Sequence, residues 1–227
     1  MSKRISHSLL DPLITPAVKP LYRLLHIPRW IPPEAIVVTG HLVAVVAAFG
    51  FAYSTSKWWG GLLVAAGVIG NHLADMVDGT HARTTNQCRN GGELLDHFTD
   101  PLSFCYWILG MAISCDQVWF GVAGILGIYA TAVLTNIRAK MTGEFTLATL
   151  GPTEFKCLLA VYGLVLAGMC SGIAGLDPAW ATPMATWFLR TLVVLGIAGL
   201  AVNLVRSVIV VNKVGSAPDT SDWEIRK

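Results

Sequence analysis

The chain has 227 residues, of which 54% are apolar and 13% charged, with a mean hydropathy of +0.59. So much apolar surface exceeds what a soluble core of this size hides, and the same composition excludes a disordered chain, a collagen-like repeat and a small disulfide-stapled secreted domain. The formal net charge is +2, and no basic cluster with interleaved aromatics stands apart from the apolar runs, so an integral membrane protein with no nucleic-acid partner is expected.

The first 33 residues carry Lys3, Arg4, Lys19, Arg23 and Arg29 among several prolines. A cleavable signal peptide fits poorly, because its apolar run should follow its charges at once. Within Leu9–Ile27 apolar residues alternate with Lys19, Arg23 and His26, the pattern of a broken amphipathic segment lying in the headgroup layer. Residues 34–213 then hold windows near the roughly 20 apolar residues that a spanning helix needs. They are Glu34–Ser54, Trp58–Asp78, Leu94–Cys115, Val118–Arg138, Glu154–Gly175 and Thr186–Val211. Their separators are short and turn-forming, as in Ser54-Thr55-Ser56-Lys57 and Cys115-Asp116-Gln117. The expected fold is an all-α integral membrane protein: an interfacial segment over 1–33, six transmembrane helices over 34–213, and a cytoplasmic tail over 214–227. The five cysteines, Cys88, Cys105, Cys115, Cys157 and Cys170, have no C-x-x-C spacing and read as small apolar fillers, not as zinc ligands or a disulfide framework.

Basic residues in short loops orient such a bundle. With a cytoplasmic N-terminus, Lys3, Arg4, Lys19, Arg23, Arg29, Arg83, Arg89, Arg138, Lys140, Lys156, Arg206, Lys213, Arg226 and Lys227 fall inside, and only Lys57 and Arg190 fall outside. This predicts an even number of spans with both ends cytoplasmic. Trp58, Trp59, Trp119, Trp180 and Trp187 cluster at the outer ends and read as interface anchors.

Five carboxylates, Asp75, Asp78, Glu93, Asp96 and Asp100, lie within the stretch joining the second and third spans. Charge in or beside a bilayer helix is costly, so this cluster is the functional candidate. Asp75 and Asp78 are three apart and Asp96 and Asp100 four apart, so each pair projects from one helix face. Two such pairs on antiparallel neighbours converge, and carboxylates so close stay ionised together only with a cation among them. An all-oxygen set favours Mg²⁺, Mn²⁺ or Ca²⁺ over zinc or copper. Gly79 and Ala82 leave room for a ligand against the helix backbone, and Arg83 matches phosphate oxygens. Metal, glycine and arginine together describe a diphosphate site.

Written as one string, Asp75-x2-Asp78-Gly79-x2-Ala82-Arg83-x8-Gly92-x3-Asp96-x3-Asp100 resembles the defining motif of the CDP-alcohol phosphotransferases, with every fixed position present. The resemblance implies a six-helix homodimer with cytoplasmic ends and an active site on the cytoplasmic side. It also implies a pair of Mg²⁺ or Mn²⁺ ions on Asp75, Asp78, Asp96 and Asp100, and a CDP moiety bordered by Asp75, Gly79, Ala82, Arg83 and Gly92. The implied reaction is attack of an alcohol hydroxyl on the β-phosphorus of a CDP-linked donor with release of CMP, and Asp100 is the base usually proposed. His97 directly after Asp96, and Gly151-Pro152-Thr153-Glu154 at the fifth span, are similar to the choline and ethanolamine phosphotransferase branch. There a His and Glu pair activates the diacylglycerol hydroxyl, which makes His97 and Glu154 catalytic candidates beside Asp100. The expectation is a phospholipid-synthesis enzyme of that branch, taking a CDP-linked donor and a lipid acceptor. The alternatives are a CDP-diacylglycerol-dependent transfer to a polar alcohol and, from another class, an ion-coupled transporter, for which no second acidic cluster is seen.

Overall fold

The computed structural model describes residues 3–147, 151–217 and 220. Arg226 and Lys227, counted above in the orientation argument, lie outside the described residues, as does most of the expected tail. Among the described residues seven α-helices follow one another: α1 (Asp11–Leu25), α2 (Pro33–Tyr53), α3 (Trp58–Thr85), α4 (Asn90–Ser114), α5 (Val118–Thr142), α6 (Pro152–Ser171) and α7 (Ala181–Val214). Two single 3₁₀ turns join α6 to α7. By length and composition α2, α3, α5, α6 and the segment ending in α7 are apolar enough to cross a membrane. The expected third span, α4, falls short of that measure because Glu93, Asp96 and Asp100 occupy its first half.

The turn residues end the helices where the sequence breaks its apolar runs. Ser54-Thr55-Ser56-Lys57 separates α2 from α3. Two limits differ from expectation. α3 continues past Asp78 to Thr85, because no helix breaker occurs before Asn86, which closes it in the left-handed region at φ 58°. α4 begins at Asn90 instead of Leu94, with Glu93 in its first turn, where the helix dipole favours a carboxylate. Pro101 removes one i→i−4 hydrogen bond just past Asp100.

α2 packs against α3 and α4, α3 against α6, and α5 against α4 and α7. Small residues permit the close approaches. A side chain at Gly61 of α3 would strike the backbone of Gly163 and Ala167 in α6, and one at Gly110 of α4 would strike the Ala48 carbonyl of α2. Phe51, Trp107, Met111, Leu159, Tyr162, Leu166 and Leu189 fill the centre, and Trp107 Nε1 donates to the Ala44 carbonyl at 2.9 Å. Cys105 and Cys115 are buried in this core, and all five cysteines are free thiols. Much of α7 is exposed and apolar, Leu195, Val202, Val205 and Ile209 among it, as suits a lipid-facing helix.

The N-terminal segment forms an amphipathic helix, with Leu13, Leu24 and Leu25 exposed and Val18 turned to the bundle. Tyr22 of α1 donates to His81 Nδ1 of α3 at 2.8 Å, while His81 Nε2 donates to the Ile31 carbonyl at 2.9 Å. The neutral ring tautomer meets both partners. One feature lay outside the all-α expectation: β1 (Lys3–Ser6) pairs in parallel with β2 (Glu144–Leu147), Lys3 opposite Glu144 and Ser6 opposite Leu147. The two strands tie the N-terminus to the connection after α5.

Candidate active site

The C-terminal half of α3, the first half of α4 and the first turns of α6 meet at one end of the bundle. The tryptophans that open α3, α5 and α7, Trp58, Trp119 and Trp180 among them, are exposed at the other end. Asp75 lies roughly 25 Å along α3 from Trp58 at 1.5 Å per residue, close to the thickness of a hydrocarbon layer. The acidic residues therefore lie about one hydrocarbon thickness along α3 from its tryptophan end.

One carboxylate oxygen from each of Asp75, Asp96 and Asp100 lies within 4.8 Å of the others. Asp75 comes from α3 and the other two from α4, so the i,i+4 spacing on α4 and the antiparallel packing bring them together. Asp78, one turn farther along α3 and 7% exposed, stands outside that triad of oxygens. Three converging carboxylates with no thiolate among them form a donor set suited to a hard divalent cation. Neither ring nitrogen of His72 has a hydrogen-bond partner, and its Nδ1 stands 4.0 Å from Asp75 Oδ2. Its neighbour Asn71 makes an interhelical bond, Nδ2 donating to the Gly40 carbonyl at 3.2 Å.

Of the residues expected to border a nucleotide, Arg83 is exposed and Gly79, Ala82 and Gly92 are partly buried. The Arg83 guanidinium folds back over Gly79, where a methyl group would meet Nη1 at 3.2 Å. Gly92 faces Glu34 at the start of α2, whose Oε1 would stand 3.4 Å from a methyl group there. Glu34 Oε1 also lies 3.8 Å from Arg89 Nη1. Ala82 ends the same face, its carbonyl accepting from Gln87 N at 2.9 Å as the chain turns out of α3.

His97 and Glu154 are held by different neighbours. The His97 ring stacks on Phe145 of β2, centroids 4.9 Å apart. Glu154 anchors the N-terminal segment: its Oε1 accepts from Ser8 Oγ at 2.6 Å, Leu9 N at 2.7 Å and Leu10 N at 3.0 Å, and its Oε2 accepts from Gly151 N at 2.9 Å. Thr153 reinforces this by donating to Asp11 Oδ1 at 2.7 Å.

Lys156 is the site residue that the sequence did not single out. Counted above among the inner-loop cations, it is 2% exposed and points into the acidic cluster, with Nζ 2.8 Å from Asp75 Oδ2 and 3.8 Å from Asp100 Oδ1. The Phe104 ring lies 5.8 Å away on another side. The available signal was a lone cation among Phe155, Cys157, Leu158 and Leu159 on an apolar helix, where an unpaired charge is too costly to persist.

The profile of the CDP-alcohol phosphatidyltransferase family matches residues 30–187. Among curated proteins, the chain is similar to human cholinephosphotransferase 1, 28% identical over 145 residues that cover 60% of this chain and 36% of that protein. It is also similar to choline/ethanolaminephosphotransferase 1 of Saccharomyces cerevisiae, 29% identical over 182 residues, 74% of this chain and 45% of the yeast protein. Chicken cholinephosphotransferase 1 is 33% identical over 113 residues, 47% of this chain and 33% of that protein. The chain thus spans less than half the length of these relatives.

Proposed function

The chain belongs to the CDP-alcohol phosphatidyltransferase family, and on that premise we propose that it moves a phosphocholine or phosphoethanolamine group from its CDP-linked donor to diacylglycerol, releasing CMP. The observation that carries the reading is the meeting of Asp75, Asp96 and Asp100 from two helices within 4.8 Å at one end of an apolar bundle. The choline and ethanolamine names of the similar proteins support the donor, and they set the CDP-diacylglycerol and transporter alternatives behind it.

Asp75, Asp96 and Asp100, with Asp78 beside them, would hold Mg²⁺ or Mn²⁺. A metal bound there would neutralise the diphosphate and make CMP a better leaving group. Gly79, Ala82 and Gly92 would border the nucleotide, and the Arg83 guanidinium that lies over Gly79 would offer its charge to the phosphate oxygens. The acceptor hydroxyl oxygen forms a bond to the β-phosphorus while the bond from that phosphorus to the bridging oxygen breaks, and the electron pair leaves with CMP. The hydroxyl proton passes to Asp100 or to His97, both at the triad end of α4. Glu154 serves the site by fastening the N-terminal segment. The positive-inside distribution of Lys and Arg supports a site open to the cytoplasm, where a soluble nucleotide and a membrane lipid meet. The exposed apolar faces of α5 and α7 leave room for the homodimer contact that we also propose.

A donor panel tests this. Purified protein in lipid nanodiscs with diacylglycerol and Mg²⁺ or Mn²⁺ should release CMP from CDP-choline or CDP-ethanolamine. Release only from CDP-diacylglycerol with a polar alcohol would contradict the substrate reading, and no release from any donor would contradict the activity.

A further inference from the structure

Three carboxylates within 4.8 Å of one another repel strongly unless a positive charge joins them. Here that charge belongs to the chain. Lys156 reaches the cluster from inside the bundle, its ammonium 2.8 Å from Asp75 and 3.8 Å from Asp100, while both carboxylates keep about a quarter to a third of their surface toward water. Lys156 is 2% exposed, and the Phe104 ring of α4 lies 5.8 Å from its ammonium. An ammonium so placed cannot reach headgroups and has no acceptor nearer than Asp75 among the described contacts.

We propose that Lys156 is a built-in counter-ion: it holds Asp75 and Asp100 in register before metal arrives and competes with a divalent cation for the same oxygens. The inference rests on the metal-binding reading above. Two consequences run in opposite directions. Removing the ammonium leaves Asp75 and Asp100 uncompensated, which loosens the metal-free protein. The same removal vacates carboxylate oxygens, which strengthens metal binding. A residue that merely supported the fold would give the first effect and weaken, not strengthen, the second. Lys156 is thus a positioning residue for the site, and it sets how much free cation the protein needs.

Mn²⁺ titration of the full chain in detergent, without nucleotide and with free Mn²⁺ read by electron paramagnetic resonance, tests this on wild type, Lys156→Met and Lys156→Arg. Lys156→Met should bind Mn²⁺ at least about tenfold more tightly, the scale of coupling between close charge pairs. Its Tm in EDTA should fall below that of wild type, and the gap should close in saturating Mn²⁺. Lys156→Arg should stay near wild type in both measurements. An Mn²⁺ affinity of Lys156→Met equal to or weaker than wild type overturns the proposal. If Lys156→Met does not survive in EDTA, Lys156→Gln purified in Mn²⁺ and titrated with a competing chelator supplies the same comparison. Absence of Mn²⁺ binding by every form, wild type included, defeats the metal reading itself; normal wild-type binding with an unchanged variant defeats only the role of Lys156.

Discussion

The two ends of the bundle are built from the same helices and differ in almost every physical respect. At the tryptophan end α3 meets α6 through Gly61, Gly163 and Ala167, so closely that no side chain fits between the backbones. At the acidic end those same helices carry Asp75 and Lys156, and the contact is an ion pair bordered by partly exposed carboxylates. The first end gains from dispersion and tight packing of small residues. The second is held by the approach of the Lys156 ammonium to Asp75 and Asp100. One helix pair thus carries both arrangements: backbone against backbone at Gly61, and at the acidic end an ion pair beside the Phe104–Phe155 ring contact.

Substitutions at the two ends should therefore separate chemistry from stability. The largest effect is expected for Asp96→Asn, which keeps the shape of the side chain and removes one charge from the triad. CMP release should fall by up to about a thousandfold, a loss of the size seen when one stabilising group leaves a transition state, while the far-ultraviolet circular dichroism stays that of wild type. Retained turnover would break the comparison at its polar end.

A smaller loss, on the order of a hundredfold, is expected for His97→Ala if the imidazole takes the hydroxyl proton. Mn²⁺ affinity should stay unchanged, because the ring stacks on Phe145 and is not one of the three converging carboxylates. A rate within a few-fold of wild type assigns the proton to Asp100. Smaller again in activity, and opposite in kind, is Gly61→Val. Overpacking against Gly163 and Ala167 should cost about 1–3 kcal/mol of stability, read as a lower Tm in detergent, while the activity per folded molecule changes little. If Gly61→Val instead lowered kcat at full stability, the two ends would not be separable.

Most of this organisation was legible in the sequence, for reasons that individual residues make plain. The separators Ser54-Thr55-Ser56-Lys57 and Cys115-Asp116-Gln117 interrupt apolar runs long enough to span, so the helix order followed directly. The carboxylate spacing placed Asp96 and Asp100 on one face, because helical periodicity is local. Nonlocal features were hidden. Lys156 lies 81 residues from Asp75, and a count of loop charges treats it like any anchor. Glu154 opens a helix whatever it binds, so its grip on Ser8, Leu9 and Leu10 had no signature. The pairing of Lys3–Ser6 with Glu144–Leu147 joins two four-residue stretches too short for a periodic signal. The reach of α3 to Thr85 was missed because the polar composition after Asp78 ends a span without ending a helix.

The end of the bundle carrying Asp75, Asp96 and Asp100 is expected to work through a divalent cation. The most direct test is CMP release from CDP-choline and diacylglycerol, measured on one preparation in Mg²⁺, after EDTA, and after Mg²⁺ or Mn²⁺ is restored. EDTA should abolish turnover and re-added cation should recover it. Turnover that continues undiminished in EDTA would contradict the cation's role.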